Sequence, residues 1–136
     1  MLRKEINNII RIPTELNLEF FKYWFEILKP FHSLTEREID VISSFMKLRY
    51  ELGKVIRDET ILDDVVMSEE SKRKVREEAG VSLAHFQVIM GKLRKSGVIV
   101  DGRLNHKFIP NIDEGNSFKL LLYFDFGNVE GRKKDT

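Results

Sequence analysis

The stretch "LRKSGVIVDGRLNHKFIP" (Leu93–Pro110) decides the fold, because it joins the end of a basic helix directly to a β-hairpin. Gly97 supplies a stop for the helix, a position where glycine is common. Asp101-Gly102 lies between the apolar runs Val98–Val100 and Leu104–Ile109, and Asp-Gly is a strong signal for a two-residue hairpin turn. The stretch therefore predicts a helix that is followed at once by a two-stranded flap.

The helix that leads into this hairpin is "VSLAHFQVIMGKLRKSG" (Val81–Gly97). Ser82 is a suitable N-cap, because its hydroxyl can accept a hydrogen bond from a backbone N–H of the first turn. Apolar side chains recur at helical spacing and predict a buried seam, formed by Phe86, Ile89, Met90 and Leu93.

Three more helices are predicted upstream. "SLTEREIDVISSFMKLRYELGK" opens with a capping box, in which Thr35 is followed three residues later by Glu38. Its core stripe is expected at Ile39, Ile42, Phe45 or Met46, and Leu52. "RDETILDDVVMS" predicts a short acidic helix, and Ser68 and Gly80 delimit "EESKRKVREEAG" as another. The last of these has few apolar residues, so we expect an exposed connector with a solvated, mixed-charge face.

The amino-terminal part predicts a short strand, "EINNIIRIP", and then a helix over Leu16–Lys29 that stops at Pro30. This helix is apolar over most of its circumference, whereas a surface helix needs an apolar stripe of only about 100°. Either the chain's own elements cover the remaining surface, or a second copy or larger assembly does. The residues assigned to such an oligomer interface are Phe20, Phe21, Trp24, Phe25 and Leu28.

At the carboxyl end, "FKLLLYFDF" (Phe118–Phe126) predicts a strand whose continuous apolar run implies burial on both faces. The tail after it is expected to be flexible. The chain then divides into residues 1–33 as a packing or oligomerisation element, 34–110 as the core, 111–127 as the carboxyl-terminal strand and 128–136 as the tail.

Composition limits the class of protein. The 136 residues are 42% hydrophobic and 33% charged, as expected of one globular domain with a real core. The sequence has no cysteine and no apolar run near the roughly 20 residues of a membrane span, and the charges and missing cleavage-site pattern of its first ten residues lead us to expect no signal peptide. We therefore expect a protein of the cytoplasm, or of a host cytoplasm or virion if a phage encodes it, with no membrane partner.

The charge is unevenly distributed. The net charge is only +1, but residues 80–112 hold five basic groups against one acidic group, a local excess of four. This positive island favours phosphate contact, although a protein that neutralises about six to ten phosphates usually carries more charge. Cations near a helix C-terminus also suit the helix dipole, so a solubilising surface is the alternative interpretation.

The sequence offers no chemistry of an enzyme. Three scattered histidines (His32, His85 and His106) without cysteine give no metal-binding spacing, and we expect His106 to be an exposed edge residue of the hairpin. Asp63 and Asp64 are adjacent, so their carboxylates point to different sides of a helix. No nucleophile elbow, phosphate loop or dinucleotide motif is present. We predict no catalytic residue, no metal and no cofactor.

The run Leu93-Arg94-Lys95-Ser96-Gly97-Val98-Ile99 resembles the join between recognition helix and wing in the winged helix-turn-helix superfamily. The resemblance covers about residues 34–110 and implies a mainly α fold with a small β component (α+β), here with an added amino-terminal strand and helix and a carboxyl-terminal strand. It maps Ser82–Lys95 onto a recognition helix and Arg103 onto the wing tip. The implied nucleic-acid contacts are Ser82, His85, Gln87, Lys92, Lys95, Arg103 and Lys107.

Two functions stay open at this point. The first is a dimeric DNA-binding regulator of transcription or replication, which uses the positive island. The second is a non-enzymatic structural or assembly subunit, for example a phage virion adaptor, since a winged helix also serves as a protein–protein module. Near-neutral charge and the two long apolar segments support the second function.

Overall fold

The computed structural model describes residues 9–112 and 117–127. In this part of the chain, six helices lead into one two-stranded antiparallel sheet. The helices are α1 (Leu18–Ile27), α2 (Lys29–His32), α3 (Glu36–Leu52), α4 (Glu59–Val66), α5 (Glu69–Ala79) and α6 (Leu83–Lys95). The strands are β1 (Ile99–Val100) and β2 (Arg103–Leu104), and a 3-10 helix follows at His106–Phe108. The described fold is therefore mainly helical with a small β component, as predicted.

The predicted helix boundaries are confirmed, because local capping sets them. The Thr35 hydroxyl accepts from the Glu38 N–H, and the Glu38 carboxylate accepts from the Thr35 N–H at 2.9 Å, which completes the capping box of α3. Ser68 caps α5, and Gly80 ends it with a φ of 68°, a conformation that glycine adopts at little cost. The exception is the end of α1, which lies at Ile27, two residues before the predicted end at Lys29; Pro30 lies in the first turn of α2 and does not stop α1 as predicted.

Helix α3 is the centre of the core, since α1, α4, α5 and α6 all pack against it. Its fully enclosed side chains include Ile39, Val41, Ile42, Phe45 and Met46. Ion pairs at the edges reinforce three of these contacts. Lys22 on α1 lies 3.1 Å from Asp40, Arg49 lies 3.0 Å from Asp63 on α4, and Lys47 pairs with Glu78 on α5.

Helix α1 forms part of this core, and this corrects the predicted oligomer interface. Phe21, Trp24 and Phe25 are buried by the chain itself, while Phe20 and Leu28 are half-buried. The Trp24 indole N–H also donates to the Phe108 carbonyl at 2.7 Å. The three buried rings cannot face a second copy in this fold, because α3 and the segment after the hairpin already enclose them.

Helix α5 is not the exposed connector that its composition predicts. Val75 is 1% exposed and Ser71 is 5% exposed, and the Ser71 hydroxyl donates to the Val65 carbonyl at 2.7 Å. The Glu78 carboxylate accepts hydrogen bonds from Ser44 and Lys47 of α3. One buried valine and a few directed polar contacts are therefore enough to hold a highly charged helix against the core.

The hairpin forms where Asp-Gly predicts it. Asp101 and Gly102 have φ angles of 56° and 73°, the pair of positive values that a type I′ turn requires. Ile99 pairs with Leu104, and the next pair outward is Val100 with Arg103. The predicted second strand, Leu104–Ile109, is wrong after its first residue. There the Asn105 side chain accepts from the Lys107 N–H at 3.0 Å and turns the chain into the 3-10 helix.

The two predicted terminal strands are also wrong within the described residues. Residues 9–13 of the first form no regular element and are exposed, and its earlier residues lie outside the described part. Residues 117–127 form no strand either, and Leu121–Phe126 are exposed. A strand needs a neighbour for its backbone hydrogen bonds, and the described chain offers neither segment one. The predicted flexible tail, residues 128–136, lies outside the described residues.

Candidate nucleic-acid interface

Helices α5 and α6 are joined by only three residues, Gly80, Val81 and Ser82, and this short connection limits the relative orientation of the two helices. Val81 is buried beneath the turn, and the Ser82 hydroxyl accepts from the His85 N–H at 3.2 Å. The Ser82 side chain therefore caps α6, and Ser82 is also exposed on the predicted contact surface. The seam predicted for α6 is confirmed: Phe86, Ile89, Met90 and Leu93 are buried.

All seven predicted contact residues have exposed side chains: Ser82, His85, Gln87, Lys92, Lys95, Arg103 and Lys107. The first five lie on or at the start of α6, whereas Arg103 and Lys107 lie in and after the hairpin. The helix and the hairpin are tied together at their base, because the Asn105 side-chain amide donates to the Gly97 carbonyl at 2.8 Å. The two groups therefore belong to one rigid unit.

Two side chains of the hairpin region, Arg103 and His106, bond to carboxylates of α4. Arg103 donates to the Asp64 carboxylate, with Nη2 and Nε at 3.0 and 3.1 Å from Oδ1. His106 is exposed, as predicted, but it lies in the 3-10 helix and not in a hairpin strand, and its Nε2 lies 2.8 Å from Asp63 Oδ2. Asp63 is buried and Asp64 is exposed, as expected for adjacent residues of a helix. The positive charge at the hairpin tip is consequently offset in part by acidic neighbours.

The cations of α6 are in the opposite situation. Within residues 9–112 and 117–127, no carboxylate lies within ion-pair distance of Lys92, Arg94 or Lys95, and the same holds for Arg76 on α5. We call these four side chains the α5–α6 cation cluster. Other cations, such as Lys29, Lys54 and Arg57, also lack an ion-pair partner among the described residues, but Lys92, Arg94 and Lys95 fall within four residues in the carboxyl-terminal half of α6. The cluster is therefore a region of uncompensated positive charge on the described surface.

A cleft of about 320 Å³ runs between α5 and α6, and basic side chains dominate its rim. Its polar lining comprises Glu69, Lys72, Arg73, Arg76, Gln87 and Arg94. Gln87 and Arg94 are seven residues apart on α6 and so lie on the same side of the helix, facing α5. Two arginines, one from each helix, thus flank a groove in which a phosphate can be bound by paired N–H donors.

Two cations of this cleft have carboxylate partners, Lys72 with Glu69 at 3.6 Å and, with closer contacts, Arg73. Arg73 bridges Glu70 and Glu77 on the exposed side of α5, with nitrogen–oxygen distances of 2.6 and 2.9 Å. The hydrogen bond and charge of Arg73 lower the pKa of Glu70, and the two carboxylates raise the pKa of Arg73. Arg73 therefore provides an internal reference: it lies in the same cleft as Arg76 but has its charge balanced.

Sequence reasoning missed Lys72 and Arg76, and it noted Arg94 only as part of the positive island. Helix α5 carries equal numbers of acidic and basic groups, so its composition predicts a neutral face. Only the packing of Val75 against α3 decides which side chains turn toward α6. The sequence does show that Gln87 and Arg94 lie on the same side of α6. It does not show that this side faces α5, which depends on how the two helices pack.

The amino-terminal half of α6 exposes two large apolar side chains beside the polar His85 and Gln87. Leu83 is 58% exposed and Val88 is 61% exposed, and neither contributes to the core. Such side chains can contact a thymine methyl group in the major groove or an apolar partner surface. Along α6, the interface therefore changes from mixed apolar and polar side chains in the first half to basic side chains in the second half.

The described residues contain no group of three histidine or acidic side chains arranged to hold a metal ion. Across the same residues, no helix has both the length and the apolar character that crossing a bilayer requires. Comparisons of the chain with protein families, with characterised proteins and with solved structures found no match.

Proposed function

We propose that the protein is a nucleic-acid-binding module of the winged helix-turn-helix type, acting as a dimeric DNA-binding regulator of transcription or replication. The single observation that carries the proposal is the α5–α6 cation cluster, four basic side chains without a carboxylate partner in the described chain. Uncompensated cations attract phosphates, and the release of counterions from DNA favours binding. In this proposal the protein has no catalytic role.

The fold supports the proposal at the level of element order. A short turn containing glycine joins α5 to α6, and a hairpin follows α6 directly, an order that resembles helix, turn, recognition helix and wing. In that arrangement α6 enters the major groove with its amino-terminal residues near the bases. Gln87 is the residue suited to read adenine, while Arg76, Arg94 and Lys95 contact phosphates.

The proposed wing differs from the wing that the sequence implied. Arg103 is bonded to Asp64, so its part in minor-groove contact is small unless DNA displaces the carboxylate. The main phosphate contacts shift to α5 and the second half of α6. Lys107 stays on the hairpin side as an exposed cation that is free to add a contact.

A salt titration tests the proposal. Fluorescence anisotropy of a labelled random duplex is measured against protein concentration at several salt concentrations. We expect the slope of log K against log salt to correspond to about three or four phosphates, because each contact contributes about 0.9 to the slope. Absence of binding at low salt, or an affinity that does not change with salt, would overturn the proposal.

Two triple variants of equal charge sharpen the test. Lys92→Gln, Arg94→Gln and Lys95→Gln together remove three members of the cluster, and we expect the slope to fall by about 2 to 3. The matched control is Lys29→Gln, Lys54→Gln and Arg57→Gln, which removes the same charge from α2 and the α3–α4 connection. Equal losses in the two variants would mean that net charge, and not the cluster, drives binding.

A second candidate function is that of a structural or assembly subunit, favoured by the exposure of Leu83 and Val88 on α6. In this function α6 docks on an apolar protein surface and the cations border the contact. The same titration separates the two functions. A wild-type chain that fails to bind duplex DNA at low salt, while remaining folded by circular dichroism, favours the assembly function.

A further inference from the structure

The segment from Phe118 to Phe126 lies in no helix or strand of the structure. The backbone groups of residues 118–124 form no hydrogen bond with any other described residue. The segment is nevertheless rich in aromatic and aliphatic residues, which are the residues enriched in strands. Unpaired backbone together with an apolar, strand-forming sequence is the pattern that a second strand completes.

One end of the segment is fixed to the helical core. The Phe118 ring packs edge-on against Phe20 and Trp24, with ring centroids 5.4 Å from each. From that anchor, the exposed fraction rises along one face of the segment, from 42% at Leu120 through 59% at Leu122 to 85% at Phe126. The face begins against α1 and then leaves the protein, so its free half is an apolar surface with nothing in the described chain to cover it.

The charges of the segment indicate what covers it. Lys119 and Asp125 are its charged residues, each lies three positions from Leu122, and both lie on the face opposite to Phe118. The Asp125 carboxylate also accepts a hydrogen bond from the Gly127 N–H at 3.0 Å. A sequence with opposite charges at equal distances from its centre is complementary to its own reverse, which is the requirement for an antiparallel two-fold pair.

We propose that Phe118–Phe126 pairs antiparallel with the same segment of a second copy of this chain, in the register centred on Leu122. This register places Lys119 opposite the partner's Asp125 and Leu121 opposite the partner's Tyr123. On the other face it places Phe118 opposite the partner's Phe126, beside the Phe20 and Trp24 rings. A shift of the register by one residue in either direction separates Lys119 from the partner's Asp125. Only the register centred on Leu122 therefore pairs the opposite charges on one face and the apolar side chains on the other.

The two-fold axis explains how so short a ribbon becomes stable. A two-stranded sheet alone is marginal in water and needs a helix or further strands against one face. In this pairing the two apolar faces lie on the same side of the ribbon, and the Phe118 anchors at its two ends hold it to the α1 helices of both copies. The ribbon thus moves the dimer interface away from the buried rings of α1, where the sequence had predicted it.

The pairing supplies the dimer of the proposed function, and its test is the oligomeric state of the full chain without nucleic acid, so a failure here is separate from a failure to bind DNA. Sedimentation velocity over about 1 to 100 µM, which spans dissociation constants typical of modest dimers, is expected to show a species of twice 16.0 kDa. Leu122→Lys places two ammonium groups together at the axis and is expected to give a monomer. A wild-type monomer over the whole range would overturn the proposal.

A charge exchange tests the register itself. Lys119→Glu and Asp125→Lys each put like charges in both cross-strand pairs, and we expect the dissociation constant of each variant to rise about tenfold. Mixing the two variants restores both opposite-charge pairs, so a heterodimer of near wild-type affinity should form. If each variant dimerises as the wild type does, or if mixing restores nothing, the Leu122-centred pairing is wrong. Since both positions are exposed, unchanged melting curves at a dilution where all the chains are monomeric will show that the core is intact.

Discussion

Helix α1 and the Phe118–Phe126 segment have nearly the same composition but opposite structural fates. Each consists of large apolar residues with two or three charges among them. In α1 the rings of Phe21, Trp24 and Phe25 are buried, whereas most of the later segment is exposed. Hydrophobicity alone therefore does not decide where an apolar run of this chain is placed.

Backbone hydrogen bonding explains the difference. A helix satisfies its own N–H and C=O groups, so α1 needs only an apolar face to pack against α3. An extended segment must find its hydrogen-bond partners elsewhere, and the described chain provides none for residues 118–124. The first run can be buried by its own chain, while the second needs another strand before it can be covered.

The largest expected effect comes from removing a ring on the α1 side of this comparison. Phe25 is completely enclosed, so Phe25→Ala should lower the free energy of unfolding by about 3 to 5 kcal/mol. Phe124→Ala, at a dilution where the chain is monomeric, should change it by less than about 0.5 kcal/mol. Urea denaturation followed by circular dichroism measures both changes.

Phe25→Leu keeps most of the side-chain volume and should lower the free energy of unfolding by only about 1 to 1.5 kcal/mol. It replaces Phe25→Ala in the measurement if the alanine variant does not fold. If Phe124→Ala destabilised the monomer as much as Phe25→Ala does, the contrast between the two regions would be refuted.

The sequence predicts those parts of the fold that neighbouring residues determine. The Thr35–Glu38 capping box, the Ser68 and Ser82 caps, and the Asp101-Gly102 turn each act within four residues, and each is found where expected. The two predicted terminal strands are not found in the described residues, because a strand depends on a distant pairing partner that no local pattern encodes. The burial of Val75 is of the same kind, because it depends on where α3 lies.

The candidate site divides in the same way. The exposure of Gln87, Lys92 and Lys95 follows from the helical period, so the sequence could predict it. The pairing of Arg103 with Asp64 joins residues 39 positions apart and needs the hairpin to lie on α4. The approach of Arg76 to Arg94 across the α5–α6 cleft also depends on packing, which is why composition alone concealed it.

A smaller effect is expected at Phe118, where the two compared regions meet. Its ring is half-buried against Phe20 and Trp24, so Phe118→Ala should cost about 1 to 2 kcal/mol, less than the loss of a fully enclosed ring. Exposure of the indole should also shift the Trp24 emission to longer wavelength. Leu121→Ala is the control at a dilution where the chain is monomeric, because Leu121 is 83% exposed and its removal should leave both quantities unchanged. An unshifted emission in Phe118→Ala would show that the segment is not anchored on α1.

The smallest expected effect is a pH dependence at the end of α1. His32 is buried there, with Nε2 2.8 Å from the Phe25 carbonyl and Nδ1 accepting from the Leu34 N–H at 2.9 Å. Since Nδ1 accepts, the ring is neutral and Nε2 carries the hydrogen. Burial lowers the pKa of His32 below its ordinary value of 6.5, although the hydrogen bond to Phe25 acts in the opposite direction.

In the unfolded chain His32 takes up a proton as the pH falls through about 6.5, before the folded chain does. The free energy of unfolding should therefore be highest above that pH and should decrease as the pH falls toward the folded-state pKa. His32→Gln retains a donor for the Phe25 carbonyl but cannot titrate, so its stability should change less over the same range. Burial alone would raise the pKa of Glu78, but hydrogen bonds from Lys47 and Ser44 lower it below 4.5. Protonation of Glu78 therefore affects the stability only at a pH more acidic than the range of the His32 measurement. If the free energy of unfolding of His32→Gln changed with pH as that of the wild type does, His32 would not be the source of the pH dependence.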